Sequence, residues 1–332
     1  MRAIPLAAIL LLAGCAGLPT PAPRAFVPLR ASPPPQMEVC WLELAGKDAP
    51  GGFGSAGWSR TEVWEVTASA LLVRHPQGDV LVDTGGSPDI QQETEVLPAW
   101  NRFLYSQLSG SFALRGELRE LLTRAGSDPS RLRAIVLSHA HPDHAGGVPR
   151  LPGIPVLVGR GEPGFVAQQR GVGLVPAHAD ALAAQMVEVA WEQRPWGNFD
   201  QSLDLFQDGS VVLVPLPGHT PGSLGTFVSL PDGVKLLHVG DVISLAESID
   251  RKVPKSALMS SLTDEDGEAN SMNVARLVQL QQADPALTIL PAHDRAQWEA
   301  IFGVHPKQKG EGPWCRSWKQ PGKTAAAAAL RD

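Results

Sequence analysis

Hydrophobic positions along this chain fall in short runs closed by glycine, proline or an acidic residue, the pattern of strands set between turns. Met37 to Leu44 is the first such run, and Gly51, Gly52, Gly54 and Gly57 then mark a loop. Thr61 to Arg74 predicts a long strand, His75-Pro76-Gln77-Gly78 a turn, and Asp79 to Asp83 the strand that pairs back across it. Leu118, Leu121 and Leu122 recur at helical spacing within 116–125, a short amphipathic helix. The run Leu132-Arg133-Ala134-Ile135-Val136-Leu137 reads by composition as a strand buried on both faces. Farther on, Val211 to Val214, Ser223 to Leu230 and Val234 to Val239 predict three strands, with Pro231-Asp232-Gly233 turning between the last two. Val274 to Gln282 carries helical spacing, and Thr288-Ile289-Leu290 reads as a last strand before Pro291. Strand-rich segments with helices between and after them predict an α+β fold of layered sheets flanked by helices, rather than one parallel sheet.

The two ends read differently from this body. Arg2 precedes an apolar run from Ala3 to Leu12 that suits a signal-peptide core and is too short for a permanent membrane span. It closes on Leu12-Ala13-Gly14-Cys15, which resembles the lipobox of bacterial lipoproteins. Residues 1–14 are thus expected to be removed and Cys15 to carry lipid, anchoring the protein to a membrane of the bacterial cell envelope, facing the periplasm or the exterior. Residues 15–36, with seven prolines from 16 onward, are expected to form an extended tether. That leaves 37–310 as the folded domain and 311–332 as a tail with scattered tryptophans and the low-complexity stretch Ala325 to Ala329. Cys40 and Cys315 would either pair across the domain or remain free thiols, and neither lies near a histidine-rich stretch.

Composition narrows the chemistry. The 332 residues are 43% hydrophobic and 19% charged with a net charge of −6, enough for a proper core and no footprint for nucleic acid. Directly after the apolar strand come Ser138-His139-Ala140-His141-Pro142-Asp143-His144. Histidines at i and i+2 on extended backbone point to one side, and Pro142 bends the chain so that Asp143 and His144 return toward the same point. Four ligand-capable side chains in six residues are costly to bury without a cation to satisfy them. Three more candidates lie just after apolar strands: His219 on the turn Pro217-Gly218-His219-Thr220-Pro221, Asp241 after Gly240, and His293 in Pro291-Ala292-His293-Asp294. Each alone is weak; as an ordered set they point to a metal site.

With Val82-Asp83-Thr84-Gly85, the series His139-x-His141-x-Asp143-His144, Gly218-His219, Gly240-Asp241 and Ala292-His293 resembles the metallo-β-lactamase superfamily over roughly Met37 to Phe302. The resemblance implies a four-layer αββα sandwich with two metal ions at one end of its facing sheets. Carried over by position, His139, His141 and His219 would bind one ion, Asp143, His144 and His293 the other, and Asp241 would bridge them. Asp83 would orient ligands or cap its own turn. Neutral imidazoles and carboxylates suit zinc first, with iron or manganese as alternatives. The expected activity is hydrolysis of an ester or lactone carbonyl by a metal-bound hydroxide, with Asp143 moving the proton and Asp241 joining the ions. His238 is expected to pack near the site, and His75, His178 and His305 to lie on the surface.

Departures from known branches bear on the substrate. A bridging Asp241 argues against a dedicated β-lactamase, and His141 against a flavodiiron protein. Glyoxalase II shares the ligands but acts on a cytosolic thioester. Quorum-quenching N-acyl homoserine lactonases share the ligands and the His293-Asp294 pair, yet carry a tyrosine soon after the bridging aspartate. Here that stretch is Asp241-Val242-Ile243-Ser244, and the single tyrosine is Tyr105. Exported phosphotriesterases, thioesterases and β-lactamase-like hydrolases remain alternatives, as does a surface lipoprotein that only binds metal. Trp58, Trp100, Phe103, Tyr105 and Phe112 are expected to wall an apolar small-molecule pocket over the metals or to pack as core. No oligomeric state follows from the sequence.

Overall fold

The computed structural model describes residues 17–56, 62–108 and 111–317. Cys15 and the leader before it, Trp58, and residues 318–332 lie outside the described residues. The strands are β1 (Glu38–Pro50), β2 (Val63–Arg74), β3 (Asp79–Val82), β4 (Ala113–Leu114), β5 (Leu132–Val136), β6 (Val156–Val158) and β7 (Met186–Glu188). They continue with β8 (Leu203–Asp204), β9 (Val211–Pro215), β10 (Leu224–Ser229), β11 (Lys235–His238), β12 (Leu287–Leu290) and β13 (Trp314–Ser317). The first sheet runs β13-β1-β2-β3-β5-β6-β7, with β4 beside β1; the second runs β12-β11-β10-β9-β8.

Both sheets are mixed. The turn at His75–Gly78 makes β2 and β3 antiparallel, whereas β3, β5, β6 and β7 run parallel. In the second sheet β9, β10 and β11 form an antiparallel meander and β12 adds in parallel to β11. The consequence for function is direct: the C-terminal ends of β3 and β5 and of β9, β11 and β12 all meet at one rim.

Three cores separate four layers. Val39, Trp41, Leu71, Val80 and Val136 of the first sheet meet Val211, Leu213, Leu224 and Leu236 of the second. Trp41 stacks on Trp298 with ring centroids 5.6 Å apart and donates its indole N–H to Ser69 Oγ at 2.7 Å, so its polar edge is not stranded. On the outer face of the first sheet, the helices Leu118–Arg124, Glu162–Gln169 and Pro176–Gln185 pack over Leu42, Leu72, Leu81 and Ile135. The helix Gly267–Ala283 covers the second sheet through Val274, Leu277 and Leu280. Burying each such aliphatic side chain contributes about 1.5–3 kcal/mol. This is the predicted α+β, αββα arrangement.

Several expectations change. Thr288–Leu290 is not the last strand: β13 follows within the segment read as tail and pairs with Glu38 to Trp41 of β1. Its Cys315 forms a disulfide with Cys40, which resolves the question that the sequence left open. The proline-rich stretch is packed along the domain rather than held clear of it. Val27 bridges Gly197, the Ser32 amide donates to Asp208, Arg24 pairs with Asp200, and Leu29 is buried against the second sheet. His75 and His178 are buried, not superficial: the first stacks on Phe206 with centroids 3.7 Å apart, and the second lies 3.0 Å from Glu93. Arg133 alone breaks the burial of β5, with its guanidinium 5.5 Å over the Phe206 ring. Among the described residues no helix is long and apolar enough to cross a membrane.

Candidate metal centre

The rim gathers every candidate ligand. His139 follows β5, and His141 caps a one-turn helix, Pro142–Ala145, whose first position Pro142 occupies at no hydrogen-bond cost. The amides of His144 and Ala145 donate to the His141 carbonyl at 3.0 and 2.9 Å, which turns Asp143 and His144 back toward the histidines before them. Asp241 follows Gly240, whose φ of 53° and approach to Ser138 leave no room for a side chain: a Cβ there would stand 2.7 Å from Ser138 Cβ. His219 lies on a turn pressed against the helix Gly267–Ala283, and a Cβ on Gly218 would stand 2.4 Å from the Asn270 nitrogen. Asp294 caps the helix Arg295–Phe302 and accepts from the Ala246 amide at 2.9 Å, while buried Arg295 pairs with Glu43 at 2.7 Å. These contacts fix the loop that carries His293.

Two groups of donor atoms result. His139 Nε2, His141 Nδ1 and His219 Nε2 stand 2.9, 3.0 and 3.1 Å from one another. In the second group His144 Nε2 is 3.2 Å from His293 Nε2, which lies 3.4 Å from Asp143 Oδ2. Asp241 stands between the groups. Its Oδ1 is 3.4 and 3.2 Å from the Nε2 atoms of His144 and His293, and its Oδ2 is 3.6 Å from His219 Nε2. Nitrogens that share a zinc ion at 2.0–2.1 Å in tetrahedral array are about 3.3 Å apart, so both groups fit one ion each. Asp241 Oδ1 is buried with no hydrogen bond, an orphan acceptor that a cation would satisfy.

The other nitrogen of each ring fixes its tautomer. His293 Nδ1–H donates to the Thr67 carbonyl at 2.7 Å, and His144 Nδ1–H donates to Asp83 Oδ2 at 2.8 Å. Ser138 gives its hydroxyl proton to Asp83 at 2.8 Å, so its oxygen is left to accept from His139 Nδ1 at 3.1 Å. His219 Nδ1–H donates to Asp264 Oδ1 at 2.7 Å. His139, His144, His219 and His293 therefore all present bare Nε2 lone pairs inward, the arrangement metal ligation requires. Asp83, buried at φ 58°, accepts from both His144 and Ser138 and so does more than cap its own turn.

Electrostatics divides the groups. Burial and the neighbouring imidazoles push His139 well down, and burial with His219 beside it lowers His141 to about 3. Burial acts the same way on His144 and His293, but Asp241, with Asp83 for the first and Asp143 for the second, outweighs it and raises both. Burial also opposes the charge of Asp241, yet His293 and His144 hold its carboxyl well below the usual range.

Beside the second group opens a cavity of about 250 Å³, lined by Ala45, Ala68, Ile90, Phe112, Leu114 and Pro142, with Ser87 and Asp143. Phe112 reaches within 6.4 Å of the His293 ring, centroid to centroid. Lys47 Nζ lies 4.6 Å over Phe112 and donates to Ser111 Oγ at 3.1 Å. The other aromatics of that stretch part ways: Tyr105 is buried and donates to the Gly173 carbonyl at 2.7 Å, while Trp100 and Phe103 stack on each other in solvent. Val242 and Ile243 are fully buried, so nothing directly after Asp241 takes the place of a tyrosine.

The profile of the metallo-beta-lactamase superfamily matches residues 63–293. The chain belongs to this superfamily. A relative named "Probable metallo-hydrolase" from Mycobacterium tuberculosis is 30% identical over 240 residues, 68% of this chain and 73% of its own length. An N-acyl homoserine lactonase of Rhizobium radiobacter is 24% identical over 244 residues, 71% of this chain and 84% of that one. Among solved structures, an N-acyl homoserine lactone hydrolase holding N-hexanoyl-L-homoserine at its catalytic metal centre is similar with a TM-score of 0.60 at 18% identity. That match covers 80% of this chain and 96% of the other. The superfamily member described here is a metal-dependent hydrolase, which removes the reading of a lipoprotein that merely binds metal.

Reasoning from sequence missed three buried residues around the first group: Glu162, Lys255 and Asp264. Lys255 donates to Asp264 Oδ1 at 2.6 Å, and Ser260 and Asn270 donate to Oδ2 at 2.7 and 3.2 Å. The Asp264 carboxylate behind His219 is thus held by four donors.

Proposed function

We propose that this protein hydrolyses a lactone or carboxylic ester with an acyl part, using two zinc ions held by His139, His141 and His219, by Asp143, His144 and His293, and by Asp241 between them. The observation that carries this reading is the orientation of Asp241, one oxygen toward each donor group, beside a cavity that reaches only the second group. Two such ions would supply a hydroxide at neutral pH and draw electron density from the substrate carbonyl. Seven ligands for two ions leave coordination positions open, as catalysis requires and a closed structural site does not.

The chain's own residues account for the rest. The cavity beside Asp143 takes the acyl part on Phe112, Ile90 and Leu114, which leaves the carbonyl at the metal end. Asp143, with its side chain 19% exposed against 2% for His144 and 10% for His293, faces both the cavity and His293, and is the group able to carry a proton to the leaving oxygen. Lys47 is not itself a lining residue, but its Nζ lies over Phe112, which is: burial lowers its pKa, and Asp143 lies near enough to oppose that. With no phenol after Asp241, Lys47 is the cation placed to steady the substrate carbonyl or the carboxylate that ring opening creates.

The likeness to lactonases, in sequence and in fold, supports this choice. The test is a panel of lactones, carboxylic esters, thioesters, β-lactams and phosphotriesters on the zinc-loaded protein. Preferred turnover of lactones or esters with an acyl chain is expected. Prominent phosphotriester cleavage with inert lactones and esters would overturn the substrate assignment. An envelope location with lipid at Cys15 remains part of the proposal, and mass analysis of the mature N-terminus tests it.

A further inference from the structure

Glu162 begins the helix Glu162–Gln169, has no exposed surface, and carries a carboxylate that takes part in none of the ion pairs among the described residues. Leaving a carboxylate so placed costs several kcal/mol unless donors replace its water. They do, and all come from the two loops that bear the first donor group. Glu162 Oε1 accepts from the Ala140 amide, between His139 and His141, at 2.6 Å. Oε2 accepts from the Thr220 hydroxyl and the Gly222 amide, just past His219, at 2.8 and 3.0 Å. Ser223 Oγ in turn accepts from the Thr220 amide at 2.9 Å. The segment that carries Glu162 meets the His219 turn without clearance. A Cβ on Gly159 would stand 2.3 Å from the Gly222 carbonyl oxygen, and one on Gly222 would stand 2.5 Å from Glu162 Cβ.

We propose that Glu162 is a positioning residue of the metal centre: its carboxylate staples the His139–His141 loop to the His219 turn and so sets the spacing of the three nitrogens. This rests on the metal centre proposed above and extends it to a residue that touches neither ion nor substrate. Apart from Glu162, a single backbone bond, from the Leu224 amide to the Ser138 carbonyl at 2.9 Å, ties these two loops at their bases. The Glu162 carboxylate holds them nearer their tips, where a shift of one against the other would open the group.

Glu162→Gln keeps the shape but places an amide N–H against donors. It is expected to weaken the binding of one of the two zinc ions by about 10–100-fold, measured by competition with a chromophoric chelator, while the second ion holds its affinity. The visible spectrum of the cobalt-substituted variant should change in the same step. A purely structural role would lower the melting temperature of the metal-free protein and leave both affinities alone, and that result overturns the proposal. If Glu162→Gln does not fold, Thr220→Val decides: a smaller loss at the same ion supports the staple, and wild-type binding of both ions sinks it. Wild-type protein that binds fewer than two ions would instead refute the metal centre itself.

Discussion

The two donor groups lie about one side chain apart yet are built differently. His139, His141 and His219 form an all-nitrogen group that does not line the cavity and is gripped from behind by Glu162 and by Asp264 with Lys255. Asp143, His144 and His293 include a carboxylate, border the cavity through Asp143, and take their support from Asp83 and the Thr67 carbonyl. Their pKa values are pushed in opposite senses, the first group's imidazoles lowered and those of His144 and His293 raised. In the function proposed above, one half of the site would hold an ion, and the other would hold one that also meets substrate. Asp241, shared by both, is what makes them a single centre.

Removing that shared residue should have the largest effect. Asp241→Ala is expected to lose tight binding of both ions, with turnover falling to the level of the chelator-stripped protein; metal analysis beside a turnover assay checks it. If one ion stays bound at wild-type affinity, the groups are independent and the comparison fails. Next comes acidification. A ligand with a raised pKa keeps its proton to higher pH and so yields its metal earlier as pH falls, whereas lowered values let the metal outcompete protons farther down. The ion of the Asp143 group should therefore leave first, in two resolved steps of metal content against pH, and a single concerted loss would contradict the division.

Smaller effects should separate the groups further. Asp83→Asn is expected to weaken the second ion by about 10–100-fold and spare the first, since the support of His144 is lost. Binding titrations on the folded variant would show this, and equal weakening of both would mean that Asp83 acts through Ser138 and His139 as well. Smallest is Lys47→Met, expected to raise KM roughly tenfold with kcat and metal content unchanged, the worth of one charged contact to substrate. An unchanged KM would take Lys47 out of the cavity wall's chemistry.

Much of this centre was legible because ligands at strand ends leave a readable trace: an apolar run, then a small residue, then a histidine or aspartate. The runs before Ser138, Pro217, Gly240 and Ala292 all have this form, and the sheet order places their ends on one rim. The supporting residues leave no such trace. Glu162 before Pro163 looks like any acidic first turn of a helix, and Asp264 stands among Glu265 and Asp266, which resemble capping residues. Only the fold shows which carboxylate turns inward. Strand β13 was hidden for another reason: Trp314-Cys315-Arg316-Ser317 has no alternation of its own, and pairing with β1 makes it a strand. Lone histidines such as His75 and His178 carry no periodicity, so their burial could not be read either.

The bridge between Cys40 and Cys315 spans 275 residues of sequence and so encloses nearly the whole sandwich in one covalent ring. Residues 1–39 and 316–332 lie outside that ring. A pull applied between the two ends of the polypeptide is therefore carried from Cys40 to Cys315 through the sulfur atoms, and the sheets and the metal rim between them bear no load. Reducing the bond would put the sheets and the rim into that line of force.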